Sequence, residues 1–167
     1  MIAVSLPAPT AEAARRGVCG DADFGLQDRM LPGLAEDLVQ YFAGDRVDLR
    51  RYRVDLSELP PFFRRALLAA RSIPYGQTRS YGWVAARAGS PAGARAAGQA
   101  MARNPIPLVI PCHRVLGAGG ALTGFGGGLE SKRVLLELEG IRCDRTRVLP
   151  RERARRASRS TPRRSGP

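Results

Sequence analysis

The first clear periodicity along the chain begins at Leu34. Leu34, Leu38, Tyr41 and Phe42 recur at i, i+4, i+7 and i+8, so they share one face of a short amphipathic helix that Gly44 ends. Residues 47–56 alternate partially between apolar and polar, which predicts a strand leading to a linker at Pro60-Pro61. A second helix is expected over residues 62–71, with Phe63, Ala66, Leu67 and Ala70 on its buried face and Pro74-Tyr75-Gly76 as its stop. Upstream of all this, residues 1–30 are rich in Ala, Pro and Gly and weakly patterned.

Two short helices around a tight turn come next. Ser80 is placed to cap the first, Tyr81, Val84, Ala85 and Ala88 form its apolar stripe, and Gly89 ends it. Ser90-Pro91 reads as an N-cap followed by proline at the first helical position. That opens a second helix over residues 91–103, with Ala94, Ala97, Gly98 and Met101 on one side. Two helices joined by three or four residues containing Gly read as a helix-turn-helix, and an ordinary helical hairpin reads the same way. Asn104-Pro105-Ile106-Pro107 cannot continue the helix, because each proline pushes its predecessor toward extended geometry. Residues 117–128 are glycine-dense and expected as loop, but they match neither G-x-G-x-x-G nor a Walker A cradle. A last helix is expected over residues 129–139, ended by Gly140.

Charge adds a partner to this outline. The 167 residues, 44% of them hydrophobic, suffice for one ordinary domain or two small ones, and the net charge is +12. The basic residues are arginines, with Lys132 the only lysine. Guanidinium groups match phosphate geometry, so the excess points to nucleic acid, although a GC-rich genome also encodes such a composition. Residues 151–167 hold seven arginines and one glutamate, half of the net charge, and the rest of the chain is still basic. That Arg/Ser/Pro tail is expected to be disordered, either adding phosphate attraction or merely solvated. Three cysteines without a C-x-x-C pair and a single histidine argue against a disulfide framework and against a metal site. No apolar run reaches membrane-span length and no signal peptide opens the chain, so a reducing, cytoplasmic setting without a membrane partner is expected.

The candidate chemistry sits at residues 110–115, Ile-Pro-Cys-His-Arg-Val, where Cys112 precedes the sole histidine, His113. A thiol is nucleophilic as thiolate, and imidazole is a common base for making one. If the segment is extended, as Pro111 encourages, the two side chains point to opposite sides, and a bridging water must carry the proton. The imidazolium so formed needs a carboxylate, and the candidate is Glu139 in the last turn of the final helix. Three readings remain open on the residues alone: a cysteine hydrolase, a thiol that accepts a group from nucleic acid, and a non-enzymatic helix-turn-helix binder in which Cys112 is simply buried. Cys19 and Cys143 are expected to be inert.

Asn104-Pro105-x-Pro107 followed by Ile110-Pro111-Cys112-His113-Arg114-Val115 resembles the signature of the O6-alkylguanine-DNA alkyltransferases. Residues 73–82, Ile-Pro-Tyr-Gly-Gln-Thr-Arg-Ser-Tyr-Gly, look like that family's approach to its helix-turn-helix, and Gly127-Gly128-Leu129 with residues 135–140 look like its last loop and helix. The resemblance covers roughly residues 34–141. It implies an α/β (α+β) fold: a small N-terminal α/β region at 1–56, shortened relative to the family, then a winged-helix-like helix-turn-helix domain at 57–148 carrying the acceptor-cysteine loop, and a tail at 149–167. It also implies a monomer acting on double-stranded DNA in a bacterial cytoplasm, with no cofactor. Cys112 would take the alkyl group irreversibly from O6-alkylguanine, with O4-alkylthymine a second candidate substrate. His113 and Glu139 would handle the proton, Asn104 would support the turn, and Arg114 would be scaffold. Tyr81 would help rotate the nucleotide, and Arg95 would replace it in the stack. Val115, Phe125 and Gly127 would shape the base pocket. A lesion binder that leaves the alkyl group in place is the alternative. Trp83 departs from the family, which usually has a polar residue there.

Overall fold

The computed structural model describes residues 33–150. The expectations for residues 1–32, including Cys19 and most of the N-terminal α/β region, and for the tail at 151–167 lie outside the described residues.

Helix α1 is Leu34–Phe42. Leu34 and Tyr41 are buried as their spacing predicts, but Phe42 keeps 41% of its surface exposed. Asp37, on the same helix, is buried against the Arg51 guanidinium at 2.7 Å and the Tyr52 hydroxyl at 2.8 Å. The strand expected over 47–56 is not formed. Instead Leu49–Arg51 make a 3-10 turn, with the Asp48 carboxylate accepting from the Arg50 backbone N–H. Leu49, Tyr52 and Leu56 are nevertheless buried. The alternation was a record of burial, and burial needs no ladder partner.

Helix α2, Pro61–Arg71, starts with proline in its first position, where the missing N–H costs nothing. Strand β1 (Arg79–Ser80) leads into α3 (Tyr81–Arg87), and the Ser80 hydroxyl accepts from the Trp83 N–H at 3.1 Å as expected of a cap. Helix α4 is Ala94–Ala102, three residues later than expected. Ser90 does not cap it. The Gly93 N–H donates to the Ser90 carbonyl at 2.8 Å, closing a turn with proline second and glycine fourth, a favoured turn sequence. The link between α3 and α4 is therefore longer than a three- or four-residue turn.

The three helices pack through very small side chains. Ala66, Ala70, Ala85, Ala88, Ala97 and Ala100 are all fully buried, around Leu67, Val84 and Ile73. Strand β1 pairs in parallel with β2 (Val115–Leu116), in the register Arg79↔Val115 and Ser80↔Leu116. The residue that caps α3 thus lies beside the segment that immediately follows Cys112–Arg114. Helix α5, Gly128–Leu138, closes the site from the C-terminal side. A second core joins Leu34, Tyr41, Leu49 and Tyr52 to Ile106, Leu108, Val109 and Leu135. Residues 34–52 are therefore packed directly against the segment leading to Cys112 and against α5. Fold and sequence agree on a mixed α/β chain, helix-rich with a small sheet.

Ala97 is fully buried in the core that joins α2, α3 and α4. Ala97→Leu is expected to lower stability by about 1–3 kcal/mol in urea denaturation, whereas Val39→Ala, at a site 71% exposed, should change it by less than about 0.5 kcal/mol.

Candidate active site

Pro111 builds the centre of the site. Its φ and ψ of −79° and 67° form an inverse γ-turn, closed by the Cys112 N–H donating to the Ile110 carbonyl at 2.8 Å. Cys112–Arg114 follow as a 3-10 turn, with the Arg114 N–H on the Pro111 carbonyl at 3.0 Å. The extended geometry expected here is therefore corrected. Proline sets its own φ and restrains the residue before it, and it leaves the residue after it free to turn.

Asn104 clamps this turn from three sides. Its Nδ2 donates to the Ile110 carbonyl at 2.8 Å and to Cys112 Sγ at 3.2 Å, while its Oδ1 accepts from the Ile106 N–H at 3.1 Å. Cys112 is 6% exposed. Burial pushes its thiol pKa up, against the Asn104 hydrogen bond and the charge of Lys132, which favour the thiolate. The resting group is a neutral thiol in need of a base.

His113 is fully buried beside it. Its Nε2 lies 2.8 Å from Glu139 Oε1. Burial lowers the imidazole pKa and outweighs the opposing pull of Glu139, so the ring is neutral at rest. Glu139 would be raised by burial, but the His113 and Arg114 contacts overcome this and hold it at about 2. An ionised carboxylate only accepts hydrogen bonds, so Nε2 carries the ring proton and Nδ1 presents a lone pair. Nδ1 is buried without a protein partner. Glu139 sits one residue past the end of α5, where it closes the helix. Besides His113 it accepts from Arg114 Nε at 2.9 Å and Nη2 at 2.8 Å, from the Tyr41 hydroxyl at 2.8 Å, and from the Gly76 N–H at 3.1 Å.

The remaining expected residues surround this cluster unevenly. The half-buried Tyr81 reaches across to the glycine-rich loop, its hydroxyl donating to the Thr123 and Gly124 carbonyls at 3.3 Å. Phe125 is half-buried and packs against both cores. Val115 is fully buried in the same core as Cys112. Gly127 is exposed ahead of α5, and Arg95 is exposed on α4; both stand outside the hydrogen-bonded cluster. A cleft of about 210 Å³ lies behind the site, lined by Arg46, Asp48, Arg50, Tyr75 and Pro111 among others; it meets the cluster through Arg114 and not through Cys112 or Tyr81.

Residues 61–141 match the family described as 6-O-methylguanine DNA methyltransferase, DNA binding domain. The chain is 49% identical over 112 residues to the methylated-DNA--protein-cysteine methyltransferase of Mycolicibacterium paratuberculosis, covering 66% of each. It is 45% identical over 107 residues to the protein of that name from Methanosarcina acetivorans, covering 64% of this chain and 67% of the relative. The chain belongs to the 6-O-methylguanine DNA methyltransferase family. A crystal structure of the Mycobacterium tuberculosis OGT protein in complex with DNA is similar at a TM-score of 0.59 and 47% identity, with 65% of each chain covered. The match to the mycobacterial relative spans a little under two thirds of that protein's length.

Two residues of this family member's site escaped the sequence reading as participants. Tyr41 read only as part of a helix face. Lys132 is wholly buried, its Nζ donating to the Val115 carbonyl at 2.6 Å and the Thr123 carbonyl at 2.8 Å, and burial lowers its pKa to about 8. It ties β2 to the glycine-rich loop. Its one available signal was being the sole lysine in a chain otherwise supplied with arginine.

The depressed Glu139 carboxyl makes stability depend on pH. The folded value of about 2 lies below the ordinary 4.5, so the contribution is complete above about pH 4.5 and is lost as pH falls toward 2. Glu139→Gln should remove that acid dependence and cost about 3–5 kcal/mol at neutral pH, because Arg114 is left buried without its counter-charge. Urea denaturation at neutral and acid pH measures both effects.

Proposed function

We propose that this protein repairs alkylated DNA by moving the alkyl group from O6 of guanine to Cys112. The observation that carries this reading is a buried thiol held by Asn104, next to a buried histidine whose Nε2 is committed to Glu139 and whose Nδ1 has no partner among the described residues. Such a site is equipped for one proton transfer and one nucleophilic attack.

Cys112 Sγ attacks the alkyl carbon as the carbon–O6 bond breaks. The bonding pair leaves on O6, and the thiol proton passes to His113 Nδ1, through a water, and returns to the guanine. Glu139 stabilises the imidazolium that forms meanwhile. The Tyr81 hydroxyl, on two long hydrogen bonds in this form, can exchange them for one to the guanine. The thioether left on Cys112 is stable, so each molecule acts once and requires no cofactor.

The target base must leave the duplex to reach Cys112, at a cost of a few kcal/mol. Helix α4 suits a close approach to the minor groove, because Ala92, Gly93, Ala94, Ala96 and Gly98 carry little or no side chain. Arg95, exposed among them, fills the place of the extruded nucleotide. A net charge of +12 supplies general attraction to the phosphates. Double-stranded DNA carrying O6-alkylguanine is the proposed partner of a monomer, with O4-alkylthymine a second substrate. The proposed organisation is a region at 1–56, the alkyltransferase domain at 57–148 and a basic tail at 149–167.

Incubation with a duplex containing O6-methylguanine, followed by peptide mass spectrometry, should place one methyl group on Cys112 and none on Cys143. Transfer to another residue overturns the mechanism, and lesion binding without transfer makes the protein a binder. Arg95→Ala should slow transfer from the duplex by about tenfold or more, given the cost of flipping, and leave transfer from the free O6-methylguanine base unchanged.

A further inference from the structure

Tyr41 lies outside the family-matched residues 61–141, yet its hydroxyl reaches the reaction centre. Helix α1 delivers it there. The ring is 1% exposed and meets Phe42 and Tyr75 edge-on, with centroids 5.5 and 6.2 Å away. The hydroxyl donates to Glu139 Oε1 at 2.8 Å, and its oxygen lies 3.4 Å from His113 Nε2. The oxygen that takes the His113 proton bond is therefore the same one that takes the Tyr41 bond.

We propose that Tyr41 is a positioning residue for the alkyl acceptor: by sharing Glu139 Oε1 with His113, its hydroxyl keeps His113 a neutral base with Nδ1 turned to the thiol proton. This inference rests on the alkyl-transfer reading. A carboxylate stabilises an imidazolium in proportion to the charge it presents. Each donor on Oε1 draws on that charge and also fixes where the oxygen sits. The Arg114 guanidinium spans both carboxylate oxygens, its Nη2 also on Oε1 at 2.8 Å, and the Gly76 N–H holds Oε2 at 3.1 Å. The groups around His113 are Glu139 and Lys132 from α5 and its end, Arg114 and Cys112 from its own turn, and Tyr41 from α1, with Tyr75 behind Tyr41. Of these, Tyr41 is the neutral hydroxyl in contact with both Glu139 and the imidazole. Burial and then the Glu139 charge push its pKa well above that of a free tyrosine, so it remains a donor throughout the working range.

The test uses the full chain and the Tyr41→Phe variant, which keeps the ring and its packing. Single-turnover methyl transfer from an O6-methylguanine duplex is followed against pH and against DNA concentration. The expected result is a rate about tenfold lower at neutral pH with saturating DNA, the size of a lost hydrogen bond to a charged group. The acid limb of the profile should move to higher pH, because His113 now holds its proton more tightly, and the half-saturating DNA concentration should be unchanged. Phe42→Ala, which loosens the same helix end without touching Glu139, should leave the limb where it is. An unaltered rate and profile in Tyr41→Phe, or an equal limb shift in Phe42→Ala, overturns the proposal. Absence of transfer by the unmodified protein overturns the alkyl-transfer reading itself and the proposal with it.

Discussion

One buried carboxylate organises this structure. Glu139 gathers donors from α1 through Tyr41, from the turn before β1 through Gly76, and from the cysteine segment through His113 and Arg114. Moving an isolated carboxylate out of water costs several kcal/mol, and it is tolerable only when the surrounding donors satisfy it. These segments must therefore be in place together. Fold and reactive geometry have the same condition, because the contacts that make Glu139 stable also orient the imidazole.

Around that fixed point the chain divides its materials by task. Tight turns and charged pairs hold the Cys112 segment: the inverse γ-turn at Pro111, the three hydrogen bonds of Asn104, and the Arg114 guanidinium with its further bond to the Ile73 carbonyl at 2.7 Å. The helices that would face DNA are built instead from alanine and glycine. Their packing depends on close approach rather than on large side chains, and the same smallness leaves the outer face of α4 low. Between the two, Lys132 and Tyr81 reach the glycine-rich loop through its Thr123 carbonyl, so that loop is held by a few polar contacts. Such contacts are exchangeable, which the proposed entry of a base would require.

Much of this was legible from the chain. Apolar spacing located α1, α2, α3 and α5 within a residue or two, and Ser80 capped α3 as its side chain predicts. The run from Asn104 to Val115 marked the segment around Cys112, and Glu139, expected beside His113, is its hydrogen-bond partner. Errors arose where one residue type supports two local geometries. Ser90-Pro91 serves a helix start or a turn, and Gly93 three residues after Ser90 decided for the turn. Pro111 permits extension or an inverse γ-turn, and the Asn104 clamp accompanies the latter. The alternation at 47–56 was real, but it marked buried positions and not a strand.

The sequence by itself located four of the helices and the Cys112–His113 segment, because those follow from periodicity and from neighbouring residue types. Only the tertiary structure decided that a tyrosine of the first described helix touches both Glu139 and His113, that the lone lysine is a buried tie, and that the imidazole Nδ1 is left without a partner among the described residues. These depend on hydrogen bonds between residues as much as 98 positions apart. A hydroxyl or an ammonium has no directional signature in sequence until packing removes water from around it and leaves one partner within reach.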